Sequence, residues 1–258
     1  MNPSVLRTLE SRRRNMRTLS LPAIALSSAL LASSPALAQP YPAKPVRIII
    51  TYAGGAEAIG RVITQKMTES MGQPVLLDAQ VGANGSAGAL AASRAAPDGY
   101  TLLSSTGATQ VIRKFLVKDV PYDPIRDFTP ISHIGNTTVV ILANADLPAN
   151  NVAELIALAK KQPGTLSYGT NGIGGTFHLT GEWLNQLAGI RLVHVPYKEV
   201  GQSFVDASTG RIQLVINGIA ATRNLVNARK LKIIATGGAQ RGAAWDMAPT
   251  LAETFPGM

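Results

Sequence analysis

The 258-residue sequence contains no cysteine. That absence removes disulfides, zinc–thiolate and iron–sulfur centres, and thiol nucleophiles together. Charge and aromatic content are also low, at 15% and 5%, against 46% hydrophobic residues. A disordered tail or a coiled coil needs far more charge and less apolar bulk, so both are excluded. What remains is a chain long enough to bury a core, as one large domain or two small ones.

The formal net charge of +9 suggests a nucleic-acid partner until the charges are located. Residues 1–38 carry Arg7, Arg12, Arg13, Arg14 and Arg17 against Glu10, a net of +4. Leu19 to Ser34 follows without any charge, and Ala36-Leu37-Ala38 forms a small-x-small site before Gln39. A basic head, a short apolar run and A-x-A describe an export signal. The run is short for a membrane span and is interrupted by Pro22 and several serines. Beyond Ala38, nineteen basic residues face fourteen acidic ones, clustered only at Lys160-Lys161 and at Arg229-Lys230-x-Lys232. No aromatic residue interleaves with those clusters, as a single-strand binder requires, so no nucleic-acid partner is expected.

The rest of the chain alternates apolar strands with helices. Val46–Ile50 and Val75–Leu77 read as strands around a helix over Ile59–Met71, with Ile59, Val62, Ile63 and Met67 on one face. A helix over Ala89–Ala95 leads through Pro97-Asp98-Gly99 into strand Thr101–Ser104. The pattern restarts after Pro121-Tyr122-Asp123-Pro124. Thr137–Ala143 reads as a strand, and Asn151–Lys161 as a helix capped by Asn150 or Asn151. Leu166–Gly169 is a strand, His178–Leu187 a helix, and Leu192–Val195, Ile212–Ile216 and Lys232–Thr236 further strands. Alternation of this kind predicts an α/β fold of two lobes, each a mostly parallel sheet flanked by helices. The expected partition is a signal over 1–38, a near lobe over 39–134, a far lobe over 135–240 and a crossover over 241–258.

Three loops join a strand to a helix and combine glycine with small polar residues: Tyr52–Ala56, Ser105–Thr109 and Thr170–Thr176. Unpaired backbone N–H groups at a helix start carry partial positive charge and hold a carboxylate without any arginine. A single such loop is more often plain turn geometry, with glycine and hydroxyl caps serving the backbone alone. Three in one chain, split between two lobes, point to a shared cleft. Gly82-x-x-Gly85-x-x-Gly88 lacks the Gly-Lys-Ser/Thr ending of a phosphate loop and reads as a tight turn. The three histidines, His133, His178 and His194, have no metal-ligand spacing, there is no G-x-S-x-G elbow, and Glu182 and Asp206 sit in no catalytic pattern. No enzyme, metal or cofactor is therefore expected.

Five ordered segments carry a family likeness: Tyr41-Pro-Ala-Lys-Pro-Val-Arg-Ile-Ile-Ile50, Ala95-Ala-Pro-Asp-Gly-Tyr-Thr-Leu-Leu103, Pro121-Tyr-Asp-Pro-Ile-Arg-Asp-Phe128, Val193-His-Val-Pro-Tyr-Lys198 and Pro249-Thr-Leu-Ala-Glu253. From Tyr41 onward the chain resembles the Bug, or TctC, substrate-binding proteins of tripartite tricarboxylate transport. The resemblance implies a monomeric, two-lobed periplasmic binding protein of Venus-flytrap type. It would close over a small di- or tricarboxylate, amino acid or aromatic acid and deliver it to membrane transporter subunits. On this likeness Tyr52, Gly54 and Gly55 form the first jaw, with Thr106 and Thr109 beside it. Thr170, Asn171, Gly174 and Thr176 answer from the far lobe, with Asn217 at a strand end facing the cleft.

Against the family pattern, the first loop is shortened around Glu57, Glu199 stands where glycine is common, and Asn217 where aspartate is common. The last change adds a hydrogen-bond donor and removes a charge. The family also continues past the equivalent of Met258, so the near lobe is expected to lack its C-terminal completion. Two alternatives accompany transport: a ligand sensor that presents an organic acid to a membrane kinase, and a truncated, non-functional paralogue. The secreted chain is expected to begin at Gln39, which intact mass spectrometry of periplasmic material checks.

Overall fold

The computed structural model describes residues 40–52, 55–242 and 248–256. Of the first 43 residues, which form a unit of their own, 40–43 are described and carry no helix or strand. From Lys44 onward the chain is one unit built around two sheets.

The near-lobe sheet has the order β2-β1-β3 and is parallel throughout, from β1 (Val46–Ile50), β2 (Val75–Ala79) and β3 (Thr101–Ser104). Helix α1 (Gly55–Met71) crosses between the first two strands, and α2 (Ser86–Ser93) between the second and third. Val46, Ile48, Ile50 and Val75 form its core, with Met67, Met71, Leu77, Tyr100 and Leu102 packed on it. The buried side of α1 differs from the expected one. Gly60, Thr64, Met67 and Met71 face inward, whereas Ile59 and Val62 are 49% and 61% exposed. Gly60 rests there in ordinary contact with Leu77. A π-helical turn over 108–112 then runs into the short helix α3 (Arg113–Leu116).

Residues 117–138 connect the lobes without joining either sheet, and 131–138 are exposed. The far-lobe sheet has the order β6-β5-β7-β4-β8. Its elements are β4 (Val139–Asn144), α4 (Val152–Lys161), β5 (Ser167–Thr170), α5 (Thr176–Ala188), β6 (Val193–Pro196), α6 (Val200–Ser208), β7 (Leu214–Gly218), α7 (Arg223–Asn227) and β8 (Leu231–Thr236). Strand β4 runs antiparallel to both neighbours while β5 pairs in parallel with β6 and β7. An apolar run buried on both faces reads identically in either direction, so this reversal is invisible in the sequence. Successive residues of β4 serve opposite faces: Ile141 and Ala143 belong to one core cluster, Val140 and Leu142 to the other.

Asn151 caps α4 as expected, its Oδ1 accepting the Glu154 N–H at 2.9 Å. The last helix, α8 (Leu251–Thr254), is opened by a reciprocal cap between Thr250 and Glu253. Leu251 and Phe255, in the segment read as a crossover, pack into the core of the far lobe.

Tyr168 is the largest fully buried side chain, and its ring lies against Gly181 of α5. A methyl group at 181 would overlap that ring. Glycine to alanine inside a helix normally stabilises by about 1 kcal/mol. Here Gly181→Ala is expected to destabilise by about 1–3 kcal/mol, the range for overpacking, read from urea unfolding.

Candidate functional site

Strands β1 and β3 end at the same edge, the carboxyl edge of a parallel sheet, where open α/β folds place their ligands. Beyond Ile50, Thr51 is buried and Tyr52 half-buried, with its hydroxyl 2.6 Å from Ser104 Oγ at the end of β3. The turn between β2 and α2 is unusual. Ala83, Asn84 and Gly85 follow one another in the left-handed region, at φ 52°, 53° and 84°. Only glycine adopts that conformation freely, so neighbours must hold the other two. Thr109 does so, donating its buried hydroxyl to the Asn84 carbonyl at 3.0 Å, beside Thr51 Oγ1 at 3.3 Å. Tyr122 in turn donates to the Thr109 carbonyl at 2.6 Å. Segment 82–88 is thus the tight turn that its glycines suggested, and a side chain at 85 would overlap Thr51 and Thr109. Next to it the Ser86 hydroxyl is buried without a hydrogen-bond partner among the described residues.

In the far lobe, β5 ends at Thr170 and β7 at Asn217-Gly218, again at one shared edge. Thr170 is fully buried and its hydroxyl stays within the loop, 3.0 Å from the Gly172 carbonyl. Gly172 and Gly174 have φ of 126° and 78°. Helix α5 starts after Gly175 with no side-chain cap, so its first N–H groups have no internal acceptor. Asn217 is 7% exposed. Its Oδ1 accepts the Gly218 N–H at 2.7 Å, whereas Nδ2 is buried with no partner among the described residues. Phe177, in the first turn of α5, lies beside Gly218.

Behind this loop sits a polar cluster. The rings of His178 and His194 stack with centroids 4.0 Å apart, and Tyr168 lies 5.0 Å from His194. Tyr168 donates its hydroxyl to Glu182 at 2.6 Å. Burial, followed by the adjoining His178 charge and partly opposed by Glu182, pushes His194 down to about 4. Burial and the Glu182 carboxylate raise the Tyr168 phenol. Asp206, the other uncommitted acid of the sequence, accepts from Tyr197 at 2.9 Å and from Gln202 at 2.8 Å, a purely structural use.

The two loop clusters meet. Asn84 Nδ2 donates to the Ile173 carbonyl, and Leu116 of α3 packs against Gly174. Among the described residues are surface depressions of about 470 and 460 Å³. The first, between α6 and α7, touches none of the expected residues. The second includes Thr176 and reaches from α5 to Ile112.

Of the residues expected at the site, Gly54 lies outside the described residues, and Gly55 opens α1. Tyr52 and Asn217 lie at the carboxyl edges of the two sheets. Thr109 and Thr170 are at those edges too, but their hydroxyls are engaged in holding loops. Thr106, Asn171 and Thr176 are exposed. Sequence reasoning missed Asn84, Ser86, Leu116 and the histidine pair. The Asn84-Gly85 step was the available signal, since that pair marks left-handed backbone.

Two α/β lobes, each presenting glycine-rich strand-to-helix loops to the other, define a two-lobed binding protein of the periplasmic class. The profile of the tripartite tricarboxylate transporter family receptor, TctC, matches residues 59–258, and the chain belongs to that family. The UPF0065 protein in the gbd 5' region of Cupriavidus necator is 35% identical over 86% of this chain and 68% of its own length. A solved periplasmic transporter is 38% identical at a TM-score of 0.77, covering 83% of this chain and 72% of that one. The R. palustris protein Rpa4515, solved with adipate, is 29% identical at a TM-score of 0.79, covering 84% and 74%. The chain spans 64% to 71% of the length of three further curated relatives, BugT of Bordetella pertussis among them. The family is one of binding proteins rather than enzymes. Among the described residues no helix is long and apolar enough to cross a membrane.

The half-buried His194 imidazole sets a pH dependence. Folded His194 takes its proton only near pH 4, against 6.5 for an ordinary imidazole. Between those values the unfolded chain binds more protons, so stability falls as pH drops through that window. Thermal unfolding by circular dichroism is expected to show this loss, and His194→Gln to flatten it.

Proposed function

We propose that this protein is an exported receptor that captures a small carboxylate between its two loop clusters for tripartite tricarboxylate-type uptake. The observation that carries the reading is Asn217 Nδ2, a buried donor without a partner among the described residues, at the carboxyl end of β7. A buried unsatisfied donor is costly, and a carboxylate oxygen is the acceptor that would relieve it. The uncapped start of α5 supplies further N–H groups on the same edge, with the dipole sign that favours an anion. Tyr52 and the loops at 54–55 and 106–109 form the opposing jaw in this reading, with Thr170, Asn171, Gly174 and Thr176 on the far side. Adipate, held by the R. palustris relative, makes a linear dicarboxylate the first solute to try. Export with cleavage near Ala38, and delivery to membrane transporter subunits, complete the proposal.

Calorimetric titration against linear dicarboxylates of four to six carbons, citrate, acidic amino acids and aromatic acids tests it. At least one is expected to bind, and Asn217→Ala to weaken that binding about ten- to a hundredfold, the worth of a hydrogen bond to a charged group. A folded chain that binds none of the panel overturns the reading.

A further inference from the structure

The histidine pair is wired to both ends of loop 170–176. Gly174 N–H donates to His178 Nδ1 at 3.1 Å, so that nitrogen carries a lone pair and no proton. His194 Nε2 lies 2.7 Å from Thr170 Oγ1, whose own proton is directed to the Gly172 carbonyl. The neutral Nε2–H tautomer of His194 completes that chain of bonds. Thr170 also receives the Gly172 N–H at 3.3 Å. The Thr170 hydroxyl and the backbone of Gly172 and Gly174 are therefore tied to two imidazoles that are both uncharged.

We infer that His178 and His194 are positioning residues for the far-lobe loop, and that protonation of His178 releases the loop and weakens ligand capture. This rests on the carboxylate-binding role proposed for loop 170–176. The chemistry is a conflict of donors. When neutral, His178 carries its proton on Nε2, on the side where Glu182 Oε1 lies 3.9 Å away. A second proton has only Nδ1 to occupy, where the Gly174 N–H already points. Two N–H groups then face each other, and either the ring turns or Gly174 swings away.

The groups that face His178 are few. From β6 comes His194, stacked on the ring; from β5 comes Tyr168, whose hydroxyl also lies 3.4 Å from the His178 carbonyl; from α5 comes Glu182. Glu182 attracts a proton to the pair, while the two rings, stacked at 4.0 Å, disfavour a second charge once one of them is protonated. Imidazole is the side chain whose charge changes between pH 5 and 8, so the device works within the range an exported protein meets.

The test follows Gly174 directly and does not need a ligand. Amide-exchange protection of Gly174 and the side-chain ¹⁵N shifts of His178 are measured by NMR on the full chain from pH 8 to 5.5. Circular dichroism verifies that the chain stays folded. Protection is expected to fall about three- to tenfold as His178 titrates, the worth of one neutral hydrogen bond. His178→Asn keeps an acceptor near the Nδ1 position and does not titrate, so its Gly174 protection should stay level with pH. Should His178→Asn fail to fold, the native chain still decides the matter. Protection that stays constant while His178 titrates, or a His178 that does not titrate above pH 5.5, overturns the inference. Adipate affinity measured at the same pH values is expected to fall in step in the native chain and not in His178→Asn. Absence of adipate binding at every pH counts against adipate as the solute, whereas Gly174 protection judges the histidine pair.

Discussion

The position of Tyr168 governs the far lobe. Its ring is buried within β5, under the one residue of α5 that has no side chain, and its hydroxyl is bonded to Glu182, the next residue of that helix. Sheet and helix are fixed relative to each other at that contact. The loop between them, from Thr170 to Gly175, has little freedom left once both its anchors are set. The histidine pair packs on the same ring, so the apolar contact and the polar network share one foundation. Burying a phenol beside two half-buried imidazoles is tolerable because each is bonded to a partner within the cluster or to the loop.

The near lobe solves the same problem with hydroxyls. Three consecutive left-handed residues store conformational cost at the edge of a sheet. Thr109 and Thr51 hold them, and Tyr122 holds Thr109 from the connecting segment. The Asn84 carbonyl is thereby turned inward, and the Asn84 side chain reaches the far-lobe loop at Ile173. Hydroxyl groups that look like ligand contacts in the sequence are in part the supports that set the backbone.

How far the sequence revealed this differs from element to element. Period and punctuation located the strands and most helices, because Val46–Ile50 offers no alternative to burial, although the strand read at Ile212–Ile216 lies two residues further on, at Leu214–Gly218. The inward side of α1 was misjudged, since periodicity weighs Ile59 and Val62 as apolar and gives no weight to Gly60 and Thr64, the residues that are buried. The reversed direction of β4 left no trace in an apolar run. At the site, the glycine-rich loops and Asn217 were legible as local chemistry, including the extra donor of an asparagine. The pairing of His178 with His194 was not. Sixteen residues separate them, and only the parallel pairing of β5 with β6 beneath α5 brings them together.

The reversal of β4 also decides where the connection between lobes arrives. Because β4 runs against β7, its first residues lie at the edge where β7 ends: Val139 is opposite Gly218, and Val140 opposite Asn217. Thr137, still in the connecting segment, fits into the space left by the missing side chain of Gly218. The tether between the lobes thus packs against the strand end that carries Asn217. Side-chain volume at 137 and 218 is shared between two tasks, covering the strand end next to Asn217 and seating the tether. A larger residue at either position would alter both together.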